Sequence, residues 1–335
     1  MKQSSYFSYL IFLFIVFFCQ AQYLSAQRAA ESMNISLKAA QTVALSGYTQ
    51  VRFQCREEKP DGFDIRRSRL TLKGKLGRRM NYKLQMDFGG SSQKLLDAEL
   101  GYRISELLTV SAGQFKIPFS IENLASSARL ATINRSQVVE GLCARSKDIQ
   151  GNQSGRDIGI IFRGKFKIID YAWAFLNGSG INSVDQNDGK AIVGRVVLHP
   201  LNSLTIGCSY YQERTTQPNN EDFAVRNRLG AEITWFMKNI YLSAEYIRGT
   251  DDVIEKSGWY VQPEYEILSK RLYAVIKYDI FDADLALPDN IVSLITAGCT
   301  VALYDRCKIQ LNYQLKSEDI EISNHVLVVQ VQYGF

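Results

Sequence analysis

Hydrophobic and polar residues alternate along most of this chain from about residue 43 onward, with a period of two. A late segment illustrates the pattern, since polar residues separate the apolar residues Ile309, Leu311, Tyr313 and Leu315. Successive side chains of a β-strand point to opposite faces, so the pattern predicts strands with one apolar and one polar face. A long helical period competes with this pattern only in the N-terminal tail and in one long connection.

The alternation divides into about 16 predicted strands. They cover residues 43–55, 63–75, 80–88, 95–103, 107–115, 156–165, 167–176, 190–199, 203–213, 225–237, 240–249, 257–267, 270–281, 291–303, 307–317 and 324–335. Most are about 9–13 residues long, whereas strands of soluble proteins average about five or six and a tilted membrane strand needs about 9–11. The strand length therefore favours a membrane-spanning barrel.

The predicted connections alternate between short and long. The short ones are 76–79, 104–106, 165–166, 200–202, 238–239, 268–269 and 304–306. The long ones are 56–62, 89–94, 116–155, 177–189, 214–224, 250–256, 282–290 and 318–323. Barrels of the bacterial outer membrane have short periplasmic turns and longer outside loops, and an even strand number places both termini on the periplasmic side.

One connection, from Lys116 to Gly155, is far longer than the others. Connections above about 12–15 residues are uncommon in compact folds and often have a function. The chain is therefore predicted to be all-β, a transmembrane antiparallel β-barrel of about 16 strands over residues 43–335. Residues 116–155 would form its third outer loop, fold inward and act as a constriction. A closed structural or surface-binding barrel, blocked by the same loop, is the alternative.

Residues 1–26 have the features of an export signal. The apolar run Tyr6–Phe18 follows a basic residue. At about 13 residues it is too short to span a bilayer as a helix, but it suits the hydrophobic part of a signal peptide. Cleavage is predicted after Ala21 or Ala26. Residues 27–42 would then form a short N-terminal tail ahead of the barrel.

Composition argues against several classes of function. The chain of 335 residues carries a formal net charge of +5, from 39 basic and 34 acidic residues, which is far below the basic excess of a nucleic-acid-binding protein. Its two histidines, His199 and His325, have no nucleophile motif beside them, and its six cysteines form no CxxC pair. The sequence therefore predicts no enzyme, no metal site, no cofactor and no nucleic-acid partner.

Three local motifs resemble the phosphate-selective porins O and P of Gram-negative outer membranes. The first joins Ser46–Gln50 (SGYTQ) to Phe63–Leu70 (FDIRRSRL). The second is Ala112–Ser120 (AGQFKIPFS), which leads into Ile133–Ser136 (INRS). The third, Gly155–Gly159 (GRDIG), restarts the barrel. The motifs cover the first half of the barrel, and the second half matches in its strand rhythm.

The resemblance implies an outer-membrane porin of a Gram-negative bacterium, in contact with lipid and often assembled as a homotrimer. It also implies an inward-folded third outer loop, a basic channel and passive diffusion of small anionic solutes such as phosphate. The last residue, Phe335, is similar to the C-terminal aromatic residue that outer-membrane proteins present to their assembly machinery.

Basic residues on the polar faces and in the long connection are candidates for contact with anions. They are Arg52, Arg67, Arg69, Lys73 and Lys83 on the strands, and Lys116, Arg129, Arg135, Arg145 and Lys147 in the connection. An ion in a narrow pore loses hydration, so fixed cations favour anions, and the arginine fork binds oxyanions bidentately. In the alternative, these bases pair with Asp87, Asp97 and Glu99 and brace the wall. The choice between an anion-preferring pore and a weakly selective general porin stays open.

Overall fold

A computed structural model describes residues 40–57, 60–90, 92–185, 189–216, 223–304, 306–317 and 325–335. Within these ranges sixteen antiparallel strands form one closed barrel, in which strands adjacent in sequence pair and β1 pairs with β16. The all-β barrel of about 16 strands predicted from the alternation is confirmed. The predicted signal peptide and residues 27–39 of the predicted tail lie outside the described residues.

The strands have the following bounds. They are β1 (Ala40–Arg56), β2 (Gly62–Leu76), β3 (Met80–Asp87), β4 (Lys94–Arg103), β5 (Thr109–Lys116), β6 (Arg156–Phe166), β7 (Ile169–Leu176), β8 (Ala191–Leu201), β9 (Leu204–Thr216), β10 (Phe223–Met237), β11 (Ile240–Asp251), β12 (Ile254–Leu268), β13 (Leu272–Asp282), β14 (Ile291–Tyr304), β15 (Cys307–Ser317) and β16 (Val326–Gly334). Each end lies within three residues of its predicted position.

One predicted outer loop is wrong. Residues 250–256 were expected to form a long connection, but β11 continues to Asp251 and β12 begins at Ile254. The two strands pair up to a two-residue turn, in which Asp252 has a φ of 58°. An acidic residue tolerates this left-handed conformation better than most residues do. The alternation of short and long connections therefore has an exception at this hairpin.

The two faces of the barrel have opposite polarity. On β15, Gln310 and Asn312 are buried at 1% exposure, whereas Leu311 and Tyr313 are 41% and 42% exposed. This reverses the arrangement of a soluble protein and suits a barrel with lipid outside and a polar lumen. In the part of the chain that the structure describes, helices are all too short to cross a membrane.

Gly113 on β5 occupies a conformation and a space that other residues tolerate poorly. Its φ is 124°, and a Cβ built there would lie 1.9 Å from the carbonyl oxygen of Ala98 on β4. A glycine is therefore required where β4 and β5 approach each other, three residues before the end of β5.

We expect Gly113→Ala to lower the free energy of unfolding by about 1–3 kcal/mol, because it adds backbone strain and a steric clash. The measurement is the urea midpoint of folded protein in detergent, followed by heat-modifiable migration on a gel. Gly194→Ala on β8 is the control, since a Cβ there meets nothing within 4 Å. Equal midpoints for the two variants would contradict this account of Gly113.

Candidate pore constriction

The connection between β5 and β6 comprises residues 117–155, which we call the long loop. It contains two short helices, α1 (Ile121–Leu124) and α2 (Gln137–Leu142). Lys116, predicted to open this connection, is the last residue of β5.

Side chains on the buried face of the barrel wall hold the start of the long loop. The carboxylate of Glu245 on β11 accepts hydrogen bonds from Ser120 Oγ at 2.7 Å, from the Glu122 amide at 3.2 Å, and from the Ile121 amide. Lys277 on β13 forms an ion pair with Glu122 at 3.2 Å. These partners belong to strands far from β5 and β6 around the barrel. The contacts support the predicted inward fold of the loop.

The middle of the long loop contacts the opposite part of the wall. The carbonyl oxygen of Ser127 accepts a hydrogen bond from Gln50 Nε2 on β1 at 3.2 Å, and its hydroxyl accepts one from Arg69 on β2. The Leu130 carbonyl accepts one from Gln310 Nε2 on β15 at 3.1 Å. The loop therefore contacts the wall at β1, β2 and β15 as well as at β11 and β13.

An apolar cluster attaches the end of the loop to the wall. Val138 and Val139 of α2 are fully buried and belong to a cluster that includes Ile161 on β6 and Tyr260 on β12. Cys143 is also in this cluster, and burial raises the pKa of its thiol. Burial of such side chains contributes about 1.5–3 kcal/mol each in area-based estimates. Hydrophobic packing therefore adds to the polar contacts of the loop.

Three of the ten candidate residues lie together beside the long loop. Arg69 Nη1 and Arg135 Nη2 each donate to Ser127 Oγ at 3.2 Å. Arg67 Nη1 donates at 2.9 Å to Gln50 Oε1, and the side-chain nitrogen Nε2 of Gln50 donates to the Ser127 carbonyl oxygen. Ser127 and Gln50 therefore link these three arginines.

Arg66 joins this group and was missed from the sequence. Gln50 pairs with Arg67 and Val51 pairs with Ile65, so Arg66 is an extra residue at a β-bulge. A bulge re-aims side chains, and Arg66 donates to Asn134 Oδ1 of the long loop. Simple alternation assigns Arg66 to the face opposite Arg67, so only the pairing with β1 reveals its direction. We call Arg66, Arg67, Arg69 and Arg135 the arginine cluster.

Charge in the arginine cluster is only partly compensated. Arg69 forms an ion pair with Asp87 at 2.7 Å. Among the described residues, no carboxylate lies within ion-pair distance of Arg66, Arg67 or Arg135, and Arg135 Nη1 is buried without a hydrogen-bond partner. Burial lowers the pKa of Arg135 and Arg69 lowers it further, while Glu122 and Glu140 raise it. The cluster therefore has excess positive charge and a free donor.

Two predicted residues are instead neutralised by carboxylates. Arg52 donates from Nε to Asp64 at 2.9 Å. Lys83 forms an ion pair with Asp97 at 2.7 Å, and Arg156 shares that carboxylate at 2.8 Å. These pairs fit the bracing alternative for Arg52 and Lys83.

Two further candidates brace the loop itself. Lys116 Nζ donates to the carbonyl oxygens of Asn123, Leu124 and Ala125 at 3.0, 2.9 and 2.6 Å. Arg145 donates to the Asn123 side-chain oxygen at 2.7 Å, and burial lowers the pKa of its guanidinium. Lys116 and Arg145 therefore bind the end of α1, where unpaired carbonyl groups attract cations.

The last three candidates are exposed. Lys147 lies in the long loop, and its backbone amide donates a hydrogen bond to the carbonyl oxygen of Glu140. Lys73 and Arg129 line a cavity of about 650 Å³. Lys73 on β2 is the cross-strand neighbour of the paired base Lys83 on β3.

Other buried bases lie on the wall beyond the first three strands, which carry all the strand residues predicted to contact anions. They are Arg156, which pairs with Asp97, Arg226, which pairs with Asp148 and Glu213, Arg228, which pairs with Asp251, and Lys277, which pairs with Glu122. Their positions on polar strand faces were a usable signal.

Comparison with known proteins identifies the family. The family model described as phosphate-selective porin O and P matches residues 38–229, more than half of the chain. The chain belongs to this family. The family and the barrel point to a channel rather than an enzyme. The protein is a porin of the outer membrane of a Gram-negative bacterium.

Solved structures of other proteins share the fold of this chain. The anion-selective porin from Comamonas acidovorans matches with a TM-score of 0.69 at 14% identity, covering 88% of this chain and 99% of that one. The trimer form of OmpT from Vibrio cholerae matches with a TM-score of 0.64 at 12% identity, covering 88% of this chain and 99% of that one. Pseudomonas putida OprB matches with a TM-score of 0.66 at 11% identity, covering 91% of this chain and 96% of that one. No curated protein matches the sequence.

We expect Glu245→Ala to loosen the long loop of the porin, because it removes three hydrogen bonds to residues 120–122. Cys143 is the reporter, in a background where the other cysteines are alanine. Its labelling by a thiol reagent should become about 10- to 100-fold faster, corresponding to a loss of about 1.4–2.8 kcal/mol.

Two further variants make this measurement specific. Glu245→Gln keeps an oxygen that accepts hydrogen bonds from both amides, so labelling should stay slow. Glu255→Ala removes an exposed acid that pairs with Arg248, and it should not change the rate. Unchanged labelling in Glu245→Ala would mean that the apolar cluster alone holds the loop.

Proposed function

We propose that this porin passes small hydrophilic solutes by passive diffusion and prefers anions, with phosphate and similar oxyanions as its solutes. One observation carries the proposal. Among the described residues, Arg66 and Arg67 of the wall and Arg135 of the long loop have no carboxylate partner.

Electrostatics explains why this cluster favours anions. Removing a cation from water is costly, and the cost remains when no protein anion compensates it. An anion in the lumen supplies that compensation and regains part of its own lost hydration. Arg135 Nη1 is buried without a hydrogen-bond partner, so no protein acceptor offsets this end of the guanidinium, and guanidinium groups match the geometry of an oxyanion.

The long loop acts as the constriction in this proposal. Its support is the set of contacts from residues 120–134 to the buried faces of β1, β2, β11, β13 and β15. Arg135 belongs to the loop and Arg67 to the wall, so the loop and the wall both carry a base in the proposed constriction.

A weakly selective general porin is the second candidate. Its support is the neutralisation of Arg52, Arg69 and Lys83 by Asp64, Asp87 and Asp97. If these ion pairs determine the electrostatic field in the lumen, cations and anions pass at similar rates.

A closed structural or surface-binding barrel is the third candidate. The loop contacts several sides of the wall, and α2 is packed at 0–1% exposure for Val138, Val139 and Leu142. In this case the loop blocks the lumen instead of narrowing it.

Assembly with copies of itself and with other factors is also proposed. The trimer form of Vibrio cholerae OmpT, which has the same fold, supports a homotrimer. Phe335 exchanges two backbone hydrogen bonds with Gly47 at the seam between β1 and β16. We propose that the same residue is presented to the assembly machinery before the seam closes.

Reconstitution in a planar bilayer tests the anion preference. With a KCl gradient, we expect steady ohmic steps and a reversal potential that indicates chloride preference. Arg67→Gln should reduce the chloride-to-potassium permeability ratio by about three- to tenfold, equivalent to about 0.7–1.4 kcal/mol of lost attraction.

The matched control is Arg248→Gln. Arg248 is an exposed arginine next to buried Ile247 on β11, paired with Glu255, and its replacement should leave the ratio unchanged. A reversal potential that indicates cation preference would refute the proposed anion preference, but the assignment as a porin would stand. Folded protein that never conducts would support the closed barrel.

A further inference from the structure

Two cavities flank the long loop. The larger, of about 650 Å³, lies between loop residues 126–131 and the wall formed by β1–β3 and β12–β16. The smaller, of about 320 Å³, lies between Lys116, Pro118 and Leu124 and the wall formed by β3, β4 and β6–β8. We call the larger cavity the vestibule. It reaches the end of the barrel with short turns, because Arg306 and Cys307 line it.

The two cavities differ in how their charges are paired. In the smaller cavity, Asp97 pairs with Lys83 and Glu99 pairs with Arg163. In the vestibule the lining carboxylate is Glu264. Within the described residues, no ion pair joins Glu264 to the lining bases Lys73, Arg129, Arg306 or Lys308. Its side-chain oxygens are therefore available to a solute.

Anion diffusion alone does not explain Glu264. A carboxylate in the path of an anion repels it, and at this position the side chain accepts one hydrogen bond, from Gln262 Nε2 at 3.2 Å. A carboxylate is also a strong acceptor for hydroxyl groups. A solute with both a negative group and hydroxyl groups therefore has favourable contacts for the bases and for Glu264.

The rest of the lining suits a polyhydroxylated molecule. Thr71 and Ser46 contribute hydroxyl groups to the lining, and Tyr48 and Tyr273 contribute rings with a polar end. Ligand sites typically occupy about 300–1,000 Å³, so the vestibule is large enough for a hexose and much larger than an inorganic phosphate ion needs.

We propose that the vestibule is a binding site for a phosphorylated polyol of hexose size. The bases Lys73, Arg129 and Lys308 contact the phosphoryl group, and Glu264 accepts hydrogen bonds from the hydroxyl groups. This inference rests on the proposed anion preference and assigns that pore a class of organic solute.

Block of the chloride current by added solutes tests the site. The porin is reconstituted at full length, and a hexose monophosphate, inorganic phosphate or glucose is added on the short-turn side. We expect the hexose monophosphate to half-block the current at about tenfold lower concentration than phosphate, the value of one hydrogen bond to a charged acceptor. Glucose should not block.

The Glu264→Ala variant distinguishes hydrogen bonding to the hydroxyl groups of the solute from a simple effect of charge. It should weaken the block by hexose monophosphate by about tenfold, while the block by inorganic phosphate stays equal or strengthens because a repelling charge is gone. Glu106→Ala is the matched control. Its side chain is 88% exposed at a short turn and does not line the vestibule, so both blocks should stay unchanged.

The possible outcomes separate this inference from the proposed function. Equal block by hexose monophosphate and phosphate, or a Glu264→Ala variant that strengthens both blocks, overturns the site while the chloride preference stands. A cation-preferring wild type overturns the proposed function. Calorimetric titration of detergent-solubilised porin with hexose monophosphate is the second readout, and absence of binding there overturns the site even if the channel does not conduct.

Discussion

The backbone of the long loop finds hydrogen-bond partners among side chains on the buried face of the barrel wall, and this requirement organises the polar residues of that face. Unpaired polar groups away from water are costly, so a loop without long helices depends on side chains of the wall. Glu245 accepts from residues 120–122, Asn312 from the Ile133 amide, and Asp279 from the Gln137 amide. Polar residues on the inner strand faces therefore have a structural task before any solute is considered.

That task gives a criterion for sorting the charges of the lumen. Arg156 and Arg226 are buried and paired with carboxylates, and Arg226 contacts Asp148 of the loop at 2.9 Å. Removing one partner of such a pair costs about 3–5 kcal/mol because the other charge stays buried. Arg67 and Arg135 are also buried, but no carboxylate pairs with them in the described part of the chain. A role in bracing the wall therefore explains Arg156 and Arg226 more fully than it explains Arg67 and Arg135.

Alternation predicted the sixteen strands because lipid on one face and a polar lumen on the other impose a strict period of two. The clear alternation of the flanking strands also delimited the long connection, which was predicted as residues 116–155 and is observed as residues 117–155. The errors arose where local rules failed. Asp252 closes a tight turn where a loop was expected, and Arg66 lies at a bulge defined by its partners on β1. The partners of Lys116 and Arg145 depend on where α1 lies, which no local pattern specifies.

Tyr48 connects the arginine cluster to the vestibule. Its ring lies 5.9 Å from the Arg69 guanidinium, within cation–π range, and it also lines the vestibule. Conduction requires that each site bind a solute well enough to admit it and weakly enough to release it. A cluster with three unpaired guanidiniums alone would retain an oxyanion. In the proposed pore, the neighbouring vestibule, which Lys308 and Glu264 both line, would give the solute a second and mixed environment after its release from the cluster.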